Sequence, residues 1–82
     1  MKMESIIKEY ASIFDEVFKS NFTDDELLSL AFKQYPQWDS LTQMILIQEI
    51  EARFGVKFDF ADMMSFTSYK SGLELITKKL DL

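Results

Sequence analysis

The sequence predicts an all-α fold: a small four-helix bundle with a long first loop and a short third helix. Three observations carry this. Apolar residues recur at steps of three and four in three separate segments. Residues suited to starting and stopping helices stand between those segments. No stretch alternates apolar and polar residues at strand period for more than a few positions. A chain of 82 residues allows one domain, spanning 1–82, with one modest core. Eight Phe, three Tyr and one Trp make that core rich in aromatic rings. With 48% apolar and 28% charged residues, the composition is that of a folded chain rather than a disordered one.

The first helix is expected from about Glu4 to Lys19. Ile6, Ile7, Tyr10, Ile13, Phe14, Val17 and Phe18 form its apolar stripe, with charged residues between them. Ser20-Asn21 then offers a stop, Asn being able to take the left-handed C-terminal position. Residues 20–39 form the longest connection. Within it, Thr23-Asp24-Asp25-Glu26 reads as a capping box, so a short helix carrying Leu27, Leu28, Leu30, Ala31 and Phe32 is expected. Pro36 closes that segment and biases Tyr35 toward extended backbone.

The second main helix is expected from Ser40 to about Phe54, with Ser40 and Gln43 as its capping pair. Leu46, Ile50 and Phe54 make its inward spine, Ile47 widens it, and Gly55 ends it. Val56-Lys57-Phe58 is a brief extended step. Asp59 caps one further turn through Met64, and Phe66 drops into the core. Thr67 or Ser68 starts the last helix, where Tyr69, Leu73, Ile76 and Leu80 repeat at helical spacing. Gly72 inside it costs about 1 kcal/mol of helix propensity. Lys78 and Lys79 suit its C-terminal end.

Composition excludes several kinds of chemistry. There is no Cys and no His, so Ser-His-Asp and Cys-His catalysis within one chain is ruled out, as are disulfides and thiolate metal sites. The compact Asp24-Asp25-Glu26 run lacks the ligand spacing and central Gly of a calcium loop, and no metal site is expected. A net charge of -5 disfavours nucleic acid and anionic membranes and favours basic protein partners. The longest apolar run, Met44-Ile45-Leu46-Ile47, is too short to span a bilayer. Lys8 and Glu9 interrupt any signal-peptide pattern near the N-terminus, so a cytoplasmic location is expected.

Trp38-Asp39-Ser40-Leu41 is the most informative stretch. A mid-chain Asp-Ser-Leu step opens a helix after a long loop in an acidic all-helical chain. A short helix and a closing helix follow. This order resembles the acyl carrier protein family across nearly the whole chain. The resemblance implies that Ser40 receives a 4'-phosphopantetheine arm from coenzyme A, attached by a phosphopantetheinyl transferase. It implies that Asp39 addresses that enzyme or its Mg²⁺. It further implies an acyl- or aminoacyl-loading ligase and a downstream transferase or synthase as partners. The chain would be a carried substrate rather than an enzyme, and a monomer. A helix start suits the chemistry, because free amides and a partial positive charge tolerate a phosphodiester. The plainer role for Ser40 is helix capping, and Asp39 is equally able to serve as that cap.

The sequence departs from the pattern of fatty-acid carriers in two places. Gln37 stands where they usually have glycine, and Trp38 directly precedes Asp39. The Trp-Asp-Ser-Leu-Thr version resembles stand-alone carriers outside central fatty-acid synthesis. The plainer role for Trp38, and the one favoured, is packing on the core beside the loop. Leu41, Met44, Ile45, Gln48 and Glu51 lie on the helix face beside the arm if Leu46, Ile50 and Phe54 face inward. That face is the expected partner surface. Its first two turns hold no carboxylate, and Ile45 stands where fatty-acid carriers commonly place Glu. Met44 and Ile45 are equally plausible as core. The aromatic-rich core suggests little room for a buried cargo. The competing reading is a helical adaptor without a prosthetic group, which binds a protein through its acidic surface.

Overall fold

The computed structural model describes residues 2–81. Five helices run in the order α1 (Met3–Phe18), α2 (Asp24–Ser29), α3 (Ser40–Phe54), α4 (Phe60–Ser65) and α5 (Tyr69–Lys79). Three are long, α2 sits inside the first loop, and α4 is the short helix before the last. The expected all-α architecture is the one observed, without a strand among the described residues.

Helix α1 lies against α3, while α2 and α4 both lie against α5. Ile6, Tyr10, Ile13 and Phe14 are the buried stripe of α1. Leu46, Ile47, Ile50 and Phe54 are that of α3. Ile7 belongs to the α1 stripe by spacing, yet it is 40% exposed. The centre is aromatic. Phe14 meets Tyr10, Tyr69 and Trp38 edge to face at centroid distances of 5.0, 5.2 and 5.4 Å. The Tyr10 hydroxyl donates to the Tyr69 carbonyl at 2.7 Å, tying α1 to the start of α5. Burial, and then Tyr69, push the Tyr10 pKa well above its usual value.

The helix ends follow local chemistry with three corrections. Thr23 with Glu26, Asp59 with Asp62 and Ser68 with Ser71 form reciprocal capping boxes. Gly55 takes the left-handed cap of α3 at φ 66°. At the end of α1, Lys19 rather than Asn21 takes the left-handed position, at φ 52°, because the amides of Lys19 and Ser20 both return to the Asp15 carbonyl. Helix α2 stops at Ser29 rather than continuing to Phe32. Leu30 and Phe32 pair instead with the segment before α5: the Phe32 amide donates to the Thr67 carbonyl, and the Tyr69 amide to the Leu30 carbonyl. The third correction, at the start of α3, concerns the functional site.

Arg53 joins α1 to α3 from outside the core. Its guanidinium reaches Glu9 at 2.8 Å, Glu16 at 2.7 Å and Glu49 at 3.1 Å. Helix α4 is held differently. None of its residues is buried. Phe66, at its end, inserts into the core, and Lys79 of α5 pairs with Asp62 at 2.6 Å.

Candidate functional site at the start of helix α3

The chain approaches α3 through a tight loop. The Tyr35 amide returns to the Ala31 carbonyl, the Trp38 amide to Tyr35, and the Lys33 amide to the Trp38 carbonyl. Trp38 is completely buried, so its ring anchors the residue two positions before Ser40. It packs on Phe14, Phe18 and Phe66.

Asp39 follows in extended conformation and is the N-cap. Its Oδ1 accepts the Thr42 amide at 2.9 Å. Hydrogen bonding from Thr42 holds the Asp39 carboxyl below its usual pKa, so it is an anion at neutral pH. The expected Ser40–Gln43 capping pair does not form. Ser40 is the first residue of the helix, and the residue one position earlier carries the extended backbone that a cap requires. With the cap role filled by Asp39, the exposed Ser40 hydroxyl has no hydrogen-bond partner among the described residues.

Gln43 serves a different purpose. Its Oε1 accepts the Trp38 indole N–H at 2.6 Å, and its Nε2 donates to the Phe66 carbonyl at 2.7 Å. Beside it an open groove of about 380 Å³ runs between α3 and α4. Phe32, Met44, Ile47, Met63, Met64 and Phe66 make its walls, and Ser40, Gln43 and Thr67 its polar edge. The groove is open at the surface, beside the packed aromatic core rather than inside it.

The partner-face residues divide. Leu41, Met44 and Ile45 are 71%, 47% and 41% exposed, so neither Met44 nor Ile45 is core. Gln48 is exposed as well. Glu51 is half-buried, and its carboxylate accepts the Phe58 amide at 2.8 Å, which fixes the extended step after α3. Phe60 and Met64, on one face of α4, are 77% and 65% exposed. Sequence reasoning missed them as surface features, although their spacing of four on a very short helix was the available signal. The first turn of α3 holds no acidic residue, which leaves Asp39 as the one carboxylate adjoining Ser40 in sequence. No group of three or more potential metal ligands occurs among the described residues.

Residues 38–76 match the family model described as the phosphopantetheine attachment site. Over those residues the chain is similar to phosphopantetheine-carrying domains. The match begins at Trp38 and runs through α3, α4 and most of α5, and with the helical order it is consistent with the acyl carrier protein family. The domain of that family takes 4'-phosphopantetheine covalently. No curated protein and no solved structure matches the chain significantly. The local geometry at the start of α3 suits the group. It offers an exposed serine hydroxyl at the positive end of a helix, with no carboxylate in the first turn and an apolar groove alongside. No helix among the described residues is long and apolar enough to cross a membrane.

Proposed function

We propose that this protein is a stand-alone carrier, phosphopantetheinylated on Ser40, that passes acyl or aminoacyl groups as thioesters between enzymes outside central fatty-acid synthesis. The observation that carries the reading is the division of labour between neighbours. Asp39 caps the helix, and Ser40 is left exposed at its mouth. The bound arm supplies a thiol that holds the cargo. The chain's own residues do the rest. The α3 amides and dipole accommodate the phosphodiester. Asp39, ionised and fixed by Thr42, is the anion that the modifying enzyme or its Mg²⁺ meets.

Leu41, Met44, Ile45 and Gln48 form the surface that loading ligase, transferase and synthase share, and Met44 and Ile45 give it an apolar character. Glu51 contributes at the margin of that face. The protein acts as a carried substrate rather than a catalyst, and as a cytoplasmic monomer. The test is intact mass after incubation with coenzyme A, Mg²⁺ and a permissive phosphopantetheinyl transferase. The wild type is expected to gain one phosphopantetheine and Ser40→Ala none. No gain by a folded wild type that is not already modified would leave the adaptor reading in its place.

A further inference from the structure

Gln43 stands out because its side chain ties the buried indole just before Ser40 to the far wall of the groove, beside the backbone bond from Phe32 to Thr67. The indole N–H of Trp38 only donates, so it must face the amide oxygen of Gln43. That leaves the amide nitrogen for the Phe66 carbonyl, and the 2.7 Å contact matches. Both distances are short for bonds of this kind. No other side chain of this length offers an acceptor and a donor together. Glu keeps the acceptor and sets a carboxylate against the Phe66 carbonyl. Leu and Met supply neither group.

The position of this link matters. Trp38 is two residues from Ser40, and Phe66 caps the C-terminal end of α4. Helix α4 buries no residue fully, so its placement depends on its two ends, on Met63 resting against the core and on the Lys79–Asp62 pair. Gln43 is therefore one of the ties between the Ser40 end of α3 and the C-terminal end of α4. We propose that Gln43 is a positioning residue for attachment at Ser40, holding the hydroxyl and the α4 wall of the groove in one register. This rests on the carrier reading. In the reaction the Ser40 Oγ–phosphorus bond forms while the pyrophosphate P–O bond of coenzyme A breaks. The hydroxyl proton is lost, and adenosine 3',5'-bisphosphate leaves. Gln43 touches none of these atoms. It acts by keeping Oγ where an enzyme-bound coenzyme A meets it.

The experiment measures steady-state phosphopantetheinylation of apo wild type, Gln43→Glu, Gln43→Leu and Trp38→Phe by one permissive transferase with coenzyme A. Each is assayed at a temperature where circular dichroism shows it folded. Gln43→Leu is expected to lose roughly tenfold or more in kcat with little change in KM, the signature of a misplaced reacting atom. Gln43→Glu, which keeps the indole bond, is expected to lose less. Trp38→Phe breaks the same link from the other side and is expected to fall with Gln43→Leu. The single Trp gives one indole N–H cross-peak in ¹⁵N–¹H spectra. That peak is expected far downfield in wild type and Gln43→Glu, and shifted upfield in Gln43→Leu. Equal kcat in all folded variants, whatever their melting temperatures, overturns the proposal and leaves Gln43 purely structural. A wild type that is not modified at all overturns the carrier reading instead, so the two failures are distinguishable.

Discussion

Replacing Gly72 by Ala sets helix propensity against packing, and the structure decides between them. Propensity alone favours alanine in the middle of α5 by about 1 kcal/mol. The glycine is buried, however, and a Cβ there would run into the Tyr10 hydroxyl and the Phe66 ring, with Phe66 Cδ1 at 2.8 Å. Neither neighbour yields cheaply. Phe66 is 1% exposed and wedged against Trp38 and Phe58. The Tyr10 hydroxyl is held on the Tyr69 carbonyl, and moving it leaves a buried donor unpaired. Overpacking costs about 1–3 kcal/mol, and the orphaned hydroxyl about 1–3 kcal/mol more. After subtracting the propensity gain, Gly72→Ala is expected to destabilise by about 1–5 kcal/mol. In a domain of this size each kcal/mol lowers Tm by about 4–8 °C. Thermal and urea unfolding followed by circular dichroism measure the effect. The same substitution in a Tyr10→Phe background should cost less, because the hydroxyl it strikes is gone. A Tm that rises with Gly72→Ala, or a cost unchanged by Tyr10→Phe, would refute the close-approach argument.

Other consequences can be checked with the same equipment. Ser40→Ala should change stability by no more than about 0.5 kcal/mol, because the hydroxyl caps nothing. Asp39→Ala should lower the urea midpoint, and an equal loss in both variants would return the cap to Ser40. The carboxyls of Asp39, Asp62 and Glu16 are held below their usual pKa by Thr42, Lys79 and Arg53 respectively. A depressed native pKa contributes stability that is complete above the ordinary carboxylate range and lost as pH falls through the native values. The urea midpoint should therefore decline below about pH 4, and a midpoint that rises on acidification would contradict the sign. Ile45→Glu should leave folding intact, since the side chain is 41% exposed, while weakening transfer of cargo by the cognate enzymes. Unchanged transfer kinetics would remove Ile45 from the partner face.

Where the sequence was legible, the information was local. Thr23–Glu26, Asp59, Ser68 and Gly55 each mark a helix end within a few residues of the groups they satisfy. The misses came from longer range or from competition between equals. Helix α2 yields Leu30 and Phe32 to partners at Thr67 and Tyr69, on a segment that α2's own pattern does not announce. Asn21 has the better left-handed propensity, but the α1 ladder ends two residues earlier. Asp39 and Ser40 are both able caps, and backbone conformation rather than residue type chooses between them. Gln43 sits at a position that capping-box logic claims, while a buried indole and a distant carbonyl claim it more strongly. The Asp-Ser-Leu step was visible at once because its exposure requires only a helix start after a loop.

Under the proposed function, the distribution of charge bears on recognition. The chain is acidic, with a net charge of -5, yet the carboxylates nearest the middle of α3 have partners inside the fold. Glu49 pairs with Arg53, which also gathers Glu9 and Glu16. Glu51 is committed to the Phe58 amide, and Asp62 to Lys79 and the α4 cap. On α3 beside Ser40 and on α4, by contrast, Leu41, Met44, Ile45, Phe60 and Met64 stand exposed. Burying a side chain such as Leu is worth about 1.5–3 kcal/mol, which a small domain forgoes when it leaves one in water. Helix α4 makes the point most plainly, since it buries no residue fully and rests only Met63 against the core, beside its end caps and an ion pair. Under the proposed function, the apolar area left unused for folding beside Ser40 is what the enzymes that receive the arm would meet. Recognition built on it draws on area rather than on long-range attraction, and such association responds weakly to ionic strength. Glu9, Glu16, Glu49 and Asp62, being spent on holding α1 to α3 and α4 to α5, then serve the fold more than contacts with a partner.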